Sequence, residues 1–463
     1  MLIKFKTKNF KSFSDLATLD LTKGKTRKHE DRIAHLKNID VLKFTSIFGS
    51  NASGKSNLIH ALKIMQHIVI FGTLPLDAIN EYYKLDDKLK EKPTYFETII
   101  SIKGKVFSYG LEINLSNGII NSEWLIELQK KNDGTTKEKN IFVRENNVIE
   151  YSSSLQKNGG IMALRLKVYV DDVKNNPRLL LLNIIGLNTV TKNINNEVVI
   201  DILNVFLWFR QSLKVVYPDM PFITPEIIYS SIDKLNEILI AFDTGIRKIE
   251  KVPISENDFY QENAKNGIDL LATRQLINIT FANNDNIKVL FRLPSGLWLI
   301  ERKGVNFLYF RMGFLHDNNK NHIFNSTNES DGTMRLFELA EPLAPINNDS
   351  VFVIDELDRC LHPRLTIQYI NTFLEKAKSP NNNNQLIVTT HESRLLNLDY
   401  VRRDEIWFVE KENNMSKLYS LEEFNVRFDN VIDKAYMEGR FGGVPIFDKL
   451  YLSNLVKDEN KKY

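Results

Sequence analysis

The chain has 463 residues, 43% of them hydrophobic and 26% charged, with a formal net charge of +3. A chain of this length exceeds what one hydrophobic core usually serves, so we expect two domains or one large domain with an inserted lobe. The small net charge gives no independent support for a nucleic-acid ligand. The longest apolar stretch, residues 179–187, is interrupted by Asn183 and is far shorter than a membrane span, so we expect no membrane partner.

The first residues and the cysteine content indicate the cellular compartment of the protein. Residues 1–6 alternate like a strand and contain no signal-peptide core. Cys360 is the single cysteine, which excludes an internal disulfide and fits a reducing compartment. We therefore expect a cytoplasmic protein.

The N-terminal pattern predicts one or two strands over residues 1–22 and a charged loop over residues 23–32. Glu30 and Asp31 interrupt the basic run of this loop. That interruption favours a solvated connection over a DNA-binding patch.

A glycine-rich motif follows a predicted buried strand over residues 42–48. It fits the P-loop pattern G-x-x-x-x-G-K-[ST] over Gly49–Ser56. Apolar residues then recur at helical spacing, at Leu58, Leu62, Met65 and Ile68. Strand, glycine loop and helix is the order that phosphate binding requires, and a plain glycine turn is the alternative.

The P-loop residues have distinct predicted roles. Backbone N–H groups and the positive end of the helix would form an anion hollow, which Gly49 and Gly54 let a phosphate approach closely. Lys55 would reach the β- and γ-phosphates, and Ser56 would be a ligand of Mg²⁺. We therefore predict ATP and Mg²⁺ as ligands. The predicted nucleotide-binding residues of this segment are Gly49, Ser50, Asn51, Ala52, Ser53, Gly54, Lys55, Ser56 and Asn57.

The middle of the chain changes its pattern twice. Residues 95–143 have period two, and turns at Lys103-Gly104, Asn117-Gly118 and Asp133-Gly134 predict an antiparallel meander. Apolar residues at helical spacing over residues 150–270 predict an inserted, mainly helical lobe. Alternation returns over residues 275–311, and the exposed loop 380–384 precedes a further strand.

A second motif places two acids after the apolar strand Val351–Ile354. Alone, this pattern fits any strand that ends at a solvated edge. Combined with a P-loop, Asp355 is expected to hold Mg²⁺ through water, and Glu356 is expected to orient or deprotonate the attacking water.

Two further segments flank this motif. Ser330 and Gly332 stand at the start of a predicted helix, where they could form another anion site or simply cap the helix. The predicted strand 385–390 ends in His391, and a histidine in this position is either catalytic or structural.

The order of these motifs resembles that of the ABC-type ATPase heads of the SMC, RecF and OLD superfamily. Residues 329–333, 355–363 and 389–392 closely resemble compact bacterial ATPases of abortive-infection and phage-defence operons. These include the RloA and AbiL type and the ATPase subunit of the PARIS system. Residues 436–445 look like the C-terminal tail motif of that group. The resemblance covers both ends of the chain well and the middle poorly.

The fold implied by the resemblance is α/β, an ABC-ATPase head in which a mixed P-loop sheet is joined to an antiparallel β meander, with an inserted mainly helical lobe. Residues 1–148 would form the N-terminal half of the head. Residues 149–272 would form the inserted lobe. Residues 273–463 would form the C-terminal half. This half would contain the signature motif with Ser330 and Gly332, the Asp-Glu strand, and the switch histidine His391.

The resemblance also implies a homo-oligomer built on head-to-tail dimers. Ser330 and Gly332 of one subunit would face the γ-phosphate held by Lys55 and Ser56 of the other, so that ATP links the two. Hydrolysis at Glu356 would remove this link.

The resemblance gives two histidines a role near the same phosphate. His391 would sense the γ-phosphate and act with Glu356 and Lys55 in catalysis. His362, in the sequence Leu361-His362-Pro363, would lie near the opposing subunit or serve as a structural turn residue.

Departures from the motif pattern of ABC-type ATPase heads reduce the number of protein classes to which the chain could belong. Asp331 stands where transporter ATPases carry a glycine, which argues against a transporter, and Glu97 is the best candidate for the missing Q-loop glutamine. The region 150–320 has no sustained heptads, so we expect no long coiled coil. The stretch after His391 is too short for the Toprim nuclease domain of OLD proteins.

Two functions remain after these exclusions. The first is a nucleotide-driven sensor and regulator in anti-phage defence, which controls a separate effector protein such as a Toprim-type nuclease. The second is a DNA-binding ATPase of the RecF or SMC kind in DNA repair. The first predicts a stable protein partner, and the second predicts hydrolysis that DNA stimulates with strong salt dependence.

Overall fold

The computed structural model describes residues 1–37, 39–130, 135–146, 148–155, 161–188, 196–218, 228, 230–281, 287–317, 322–344, 347–424 and 432–444. The chain divides into two compact units. The first unit takes residues 1–215, residues 351–356 and the described residues from 385 onward, and the second takes residues 216–350 and 357–384. The predicted domain boundaries after residues 148 and 272 stay predictions.

The strands, in chain order, are β1 (Leu2–Lys8), β2 (Ala17–Asp20), β3 (Ile33–Leu36), β4 (Ile39–Leu42), β5 (Phe44–Phe48), β6 (Thr94–Ile102), β7 (Lys105–Asn114), β8 (Ile119–Lys130), β9 (Thr136–Glu145), β10 (Val148–Tyr151), β11 (Leu213–Val216), β12 (Lys248–Ile254), β13 (Lys288–Leu293), β14 (Gly296–Lys303), β15 (Asn306–Leu315), β16 (Ile323–Asn325), β17 (Val351–Ile354), β18 (Gln385–Thr389), β19 (Ile406–Glu412) and β20 (Met415–Ser420). The α-helices are α1 (Lys55–Phe71), α2 (Ile161–Asn175), α3 (Leu181–Asn188), α4 (Glu197–Leu207), α5 (Ile232–Ala241), α6 (Glu256–Lys265), α7 (Leu270–Phe281), α8 (Asp331–Glu338), α9 (Pro363–Ala377) and α10 (Ile432–Met437). In the part of the chain that the structure describes, no helix is both long and apolar enough to cross a bilayer.

A six-stranded sheet forms the core of the first unit, in the order β11-β17-β18-β5-β19-β20. Strands β17, β18, β5 and β19 are parallel neighbours, whereas β20 runs antiparallel to β19. Every residue of β5, β17 and β18 is buried, as expected for parallel strands that are covered on both faces. This burial fits the wholly apolar sequence of β17, whereas β5 and β18 also bury polar residues, namely Thr45, Ser46, Gln385 and Thr389.

A seven-stranded antiparallel sheet also belongs to the first unit, in the order β10-β9-β8-β7-β6-β1-β2. The predicted turns at Lys103-Gly104 and Asn117-Gly118 separate β6, β7 and β8 and are confirmed. The turn predicted at residues 133–134 lies outside the described residues. The mixed sheet, the meander and the helices between them confirm the predicted fold class.

A buried carboxylate joins the meander to the helices that follow it. Glu123 on β8 is fully buried and accepts hydrogen bonds from the backbone N–H groups of Leu181 and Leu182, at 2.7 and 3.0 Å. The hydroxyl of Tyr109 donates to the same carboxylate at 3.1 Å. Burial raises the pKa of Glu123, against these hydrogen bonds and the charge of Arg144, which lower it. Glu123 therefore caps the N-terminus of α3 from the sheet.

The second unit has its own antiparallel sheet, in the order β12-β15-β14-β13, with β16 paired to β15. Helices α6 and α7 contribute aromatic and aliphatic side chains to a core against β14 and β15. The buried members of this core are Phe259, Tyr260, Ile277, Phe281, Trp298, Ile300 and Tyr309.

The strand pattern predicted from residue 275 onward is wrong at its start. Residues 275–281 belong to helix α7, and alternation begins only at β13. The local sequence Ile277-Asn278-Ile279-Thr280-Phe281 alternates as a strand would. Ile277 and Phe281 are also four residues apart, so a helix places both on one face, where they are 2% and 0% exposed. A short apolar run cannot distinguish these two periods.

Candidate nucleotide-binding site

Three segments meet at one edge of the parallel sheet. The carboxyl ends of neighbouring parallel strands lie at the same edge, and the pairs Ile354↔Val388 and Thr389↔Ile47 align the ends of β17, β18 and β5. The P-loop follows β5, Asp355 follows β17, and His391 lies just beyond β18. The topology thus brings together predicted residues that are far apart in sequence.

The P-loop is built tightly around its own lysine. Lys55 is 6% exposed, and its ammonium donates to the carbonyl oxygens of Gly49 and Ser50 at 2.8 and 3.0 Å. Ala52 and Gly54 adopt positive φ angles of 61° and 114°. A buried cation beside the N-terminus of α1 is the arrangement that a phosphate requires.

Both motif glycines occupy positions that a side chain could not. A Cβ at Gly49 would lie 2.4 Å from the carbonyl oxygen of Val409, and a Cβ at Gly54 would lie 2.3 Å from the hydroxyl of Ser416. Ser53 is 1% exposed, and its hydroxyl has no hydrogen-bond partner among the described residues. These features fit a nucleotide phosphate group.

Two serines outside the motif support the loop from below. The hydroxyl of Ser416 on β20 lies 2.7 Å from that of Ser12 and 2.5 Å from the carbonyl oxygen of Ser53. The amide of Asn57 donates to Ser12 at 2.8 Å. The side chain of Asn57, which is predicted to bind nucleotide, is therefore bonded to Ser12 in the connection between β1 and β2. Sequence reasoning missed Ser12 and Ser416, since neither belongs to a motif.

The loop residues differ in their access to solvent. Asn51, Ala52 and Ser56 are exposed, Ser50 and Asn57 are half-buried, and Gly49, Ser53, Gly54 and Lys55 are buried. Ser56, the predicted Mg²⁺ ligand, therefore presents its side chain outward at the first turn of α1.

The Asp-Glu motif is organised by a threonine that the sequence did not single out. Asp355 is 3% exposed and accepts a hydrogen bond of 2.5 Å from the hydroxyl of Thr389 on β18. The same hydroxyl accepts a 2.8 Å hydrogen bond from the backbone N–H of Glu356. Thr389 therefore fixes both acids relative to the neighbouring strand.

Glu356 has an unusual backbone. Its φ is 49°, in the left-handed region that non-glycine residues seldom occupy. Such a conformation costs of order 1 to 3 kcal/mol and persists only where neighbouring contacts enforce it, often at functional sites. The side chain is half-buried at the strand edge.

His391 lies at the end of the same edge. The backbone N–H of Thr390 donates to the carbonyl of Ile47 at 3.1 Å, which extends the pairing of β18 with β5 by one residue. His391 follows as an exposed residue. Among the described residues there is no cluster of three metal-ligating side chains, and a Mg²⁺ ion that binds substrate phosphates needs only one or two protein ligands.

The predicted signature belongs to the second unit. Ser330 is the N-cap of α8, and its hydroxyl accepts the backbone N–H of Thr333 at 3.1 Å. Gly332 packs against the turn that precedes α9, where a Cβ would lie 2.8 Å from the carbonyl oxygen of Cys360. His362 is the N-cap of α9 and accepts the N–H of Arg364 at 3.2 Å through Nδ1. This bond fits the structural alternative for His362, and its position near an opposing subunit stays a prediction.

Glu97, the candidate for the Q-loop contact, is a buried member of the meander. Its carboxylate accepts from Tyr95 and Ser108 at 2.7 and 2.6 Å and pairs with Lys6 at 2.7 Å. Burial acts to raise its pKa, but the bonds from Lys6, Ser108 and Tyr95 outweigh burial and lower it. These three partners explain how the Glu97 carboxylate can be buried in the sheet.

Comparison with solved structures gives distant likenesses to SMC heads. The "SMC head domain from Thermotoga maritima" is 14% identical, with 90% of this chain and 98% of that chain covered and a TM-score of 0.35. The "SmcHead bound to the C-winged helix domain of ScpA" is 14% identical, with 90% and 97% covered and a TM-score of 0.37. A Pyrococcus furiosus Smc head with an extended coiled coil, bound to the C-terminal domain of ScpA, is 15% identical, with 91% and 97% covered and a TM-score of 0.27.

Comparison with sequences gives a family. No curated protein matches the chain. The model of the family described as "AAA domain, putative AbiEii toxin, Type IV TA system" matches residues 44–147 and 259–397. The matched segments include the P-loop, the signature, the Asp-Glu strand and His391, and they cover more than half of the 463 residues. The chain therefore belongs to this family of AAA-domain proteins.

Proposed function

We propose that this protein binds ATP with Mg²⁺ at the edge formed by β5, β17 and β18 and hydrolyses it to ADP and phosphate. The main support is the meeting of the P-loop with Asp355 and Glu356 at the ends of aligned parallel strands. Family membership supports the same activity.

Different residues of the first unit would bind the phosphates and the Mg²⁺ ion. Loop N–H groups and Lys55 would bind the phosphates, and the ammonium would exchange its present bonds to Gly49 and Ser50 for phosphate oxygens. Ser56 and Asp355 would hold Mg²⁺, which supplies positive charge against the phosphate oxygens when bound.

Glu356 would act as the general base. Its carboxylate would orient the attacking water and accept its proton, while Thr389 would keep Asp355 in place through their hydrogen bond. His391 would contact the γ-phosphate from the end of β18.

We propose further that the active form is a homo-oligomer built on head-to-tail dimers. Ser330 and Gly332 of one subunit would complete the site of the other. Because ATP would then touch both surfaces, it would bind the closed dimer more tightly than the open one, and this difference in affinity would drive closure.

The biological role that we propose is regulation of a separate effector in phage defence, as in the RloA, AbiL and PARIS groups. The family's description, which names an AbiEii toxin and a TA system, supports a role in bacterial defence. The effector would be a nuclease, for which the Toprim type is a candidate. In this role the nucleotide state would decide whether the effector is held or released.

A DNA-repair role of the RecF or SMC kind is the alternative. Its best support is the loop 23–32, where Lys25, Arg27 and Lys28 are exposed. However, Lys28 lies 3.6 Å from Asp399, and Lys23 pairs with Glu30 at 2.7 Å, which reduces the positive charge offered to a phosphate backbone. This pairing favours the regulator.

Purified variants test the activity. Lys55→Ala should bind no ATP, whereas Glu356→Gln should bind ATP but hydrolyse it about 10²- to 10⁴-fold more slowly, the usual contribution of a general base. Ser330→Arg should keep ATP binding but show no ATP-dependent dimer in analytical ultracentrifugation. Normal turnover by Glu356→Gln, or dimers of Ser330→Arg, would contradict the respective role.

Glu356→Gln trapped with ATP in the native host separates the two biological roles. Copurification of a stoichiometric nuclease-like protein supports the regulator. ATPase stimulation by duplex DNA, with affinity that falls steeply with salt, would support the repair role instead.

A further inference from the structure

The C-terminal tail segment, defined as residues 432–444, lies against the nucleotide-binding edge. It consists of helix α10 and a turn in which Gly439, Gly442 and Gly443 have positive φ angles of 79°, 67° and 67°. It contains the described part of the tail motif noted in the sequence, whose last residue, Pro445, lies outside the described residues. The roles proposed above for the P-loop and the two acids do not use it.

Tyr436 connects this segment to the first residue of the P-loop. The side chain is 6% exposed and lies edge-on to Phe48, with ring centroids 6.0 Å apart, and stacks on Phe408 at 5.5 Å. Its hydroxyl donates to the carbonyl of Gly443 at 3.1 Å. Burial raises the pKa of Tyr436 to about 12, and the nearby backbone of Gly49 acts to lower it. The phenol oxygen is therefore bonded to Gly443, and the ring packs on Phe48, the residue that precedes Gly49.

Gly443 of the tail segment lies beside the P-loop. A Cβ at Gly443 would lie 3.4 Å from the Cα of Gly49, an ordinary van der Waals distance. A Cβ at Gly442 would lie 2.3 Å from the Glu410 carboxylate and 2.6 Å from the Tyr419 hydroxyl. Backbone thus packs on backbone where the tail segment meets the P-loop.

The other end of the tail segment reaches the switch side of the site. Helix α10 packs on the short turn Ser393–Leu395, which begins two residues after His391. One segment therefore contacts both the start of the P-loop and the stretch that follows the switch histidine.

Gly49 is consequently held from two sides. Lys55 bonds its carbonyl, and Gly443 of the tail segment, whose carbonyl Tyr436 bonds, packs on its Cα. When Lys55 binds a phosphate, it loses its hydrogen bond to Gly49. The contact of the tail segment with Gly49 is then retained.

We propose that Tyr436 is a positioning residue for nucleotide binding, which holds Gly49 so that the loop keeps its phosphate-binding shape after Lys55 engages the ligand. The inference rests on the proposed ATP-binding function. It gives the C-terminal tail segment a direct part in the ATP affinity of the site.

The test compares two tyrosine variants by isothermal titration with Mg²⁺-ATP. Tyr436→Phe keeps the packed ring but removes the hydroxyl that bonds Gly443 beside Gly49. It should weaken ATP binding about 2- to 10-fold, the effect of one lost hydrogen bond. Tyr419→Phe is the matched control, because its hydroxyl bonds Phe441 and Glu410, at 2.6 and 3.1 Å, within the same packing. It should bind ATP within about twofold of wild type, a loss smaller than one hydrogen bond usually causes.

A second pair uses backbone strain instead of a hydroxyl. Gly443→Ala adds a methyl group at the contact with Gly49, whereas Gly439→Ala adds one at a similar φ whose nearest neighbour is Val444 at 3.3 Å. Both alanines are strained by a positive φ, but only relief of the strain at Gly443 moves backbone that packs on Gly49, so only Gly443→Ala should weaken ATP binding. In turnover assays, Tyr436→Phe should raise KM for ATP more than it lowers kcat, a split that general loss of stability would not produce.

These experiments distinguish failure of the positioning role from failure of the proposed ATP-binding function. Unchanged affinity of Tyr436→Phe, or equal losses for Tyr436→Phe and Tyr419→Phe, would overturn the positioning role while ATP binding itself stands. Wild-type protein that binds no ATP, or Lys55→Ala that binds it normally, would refute the proposed function, and the inference would fall with it.

Discussion

Thr389→Val is the sharpest test of how the two acids are organised. Valine keeps the shape of threonine but removes the hydroxyl that donates to Asp355 at 2.5 Å and accepts from the N–H of Glu356 at 2.8 Å. The bond to a carboxylate is worth about 1.5 to 3 kcal/mol, and the bond from a neutral N–H is worth about 0.5 to 1.5 kcal/mol. We therefore expect the free energy of unfolding to fall by about 2 to 4 kcal/mol.

Urea denaturation of wild type and variants measures this change. Thr389→Ser keeps the hydroxyl and should recover most of the loss. Thr7→Val is the matched control in the same unit, because Thr7 is a fully buried strand residue whose hydroxyl has no partner among the described residues. Removing an unsatisfied hydroxyl should be neutral or stabilising.

The catalytic rate should follow the same order. Asp355 loses this hydrogen bond in Thr389→Val, so kcat should fall in that variant and return in Thr389→Ser, while Thr7→Val should leave it unchanged. Equal stability of Thr389→Val and wild type, or equal losses for Thr389→Val and Thr7→Val, would refute the role of this hydroxyl.

Two further predictions concern stability and local order in the first unit. Burial raises the pKa of Glu405 from its ordinary 4.5 to about 7, so the folded state binds this proton more tightly than the unfolded state, and stability falls as pH rises from about 4.5 to about 7. Between about pH 5 and pH 8, wild type should lose up to about 3 kcal/mol of unfolding free energy relative to Glu405→Gln, and parallel pH curves would contradict this assignment. Arg402 is fully buried and donates to backbone carbonyls of the loop 23–32, so Arg402→Met should speed tryptic cleavage there about 10-fold or more. Arg403→Met removes a neighbouring arginine that bonds carbonyls elsewhere, and equal cleavage of the two variants would show that the loop is not anchored by Arg402.

The sequence was sufficient to predict the residues at the strand edge because their signals are local. The P-loop is a strand, a glycine turn and a helix within one short stretch, and Asp355 directly follows an apolar strand. The meander was equally predictable, since short turns with a glycine at positive φ separate β6 from β7 and β7 from β8.

The supporting residues could not be predicted, because their partners are remote. Ser416 lies 404 positions from Ser12, and Thr389 lies 34 positions from Asp355. A lone serine or threonine carries no pattern that identifies such a partner. Thr389, in the segment 389–392, and the tail motif around Tyr436 gave a signal only through resemblance, which did not indicate their contacts.

One misassignment has its origin in the local sequence. Residues 275–281 alternate over too short a run to separate a strand from a helix, and the packing of Ile277 and Phe281 decides for the helix. Glu97, the best candidate for the missing Q-loop glutamine, stays a prediction, and its carboxylate is bonded to Lys6, Tyr95 and Ser108.

The strand order of the parallel sheet has a consequence for synthesis of the chain. Strand β5 ends at residue 48, but its neighbours β18 and β19 begin at residues 385 and 406. At about 5 to 20 residues per second, a ribosome needs roughly 20 to 70 s to reach β18 after completing β5. During that interval the nascent chain carries an apolar strand without either sheet partner, a state that invites aggregation and chaperone binding. The strand that leads into the P-loop can pair with these neighbours only after residues 385 and 406 have been synthesised.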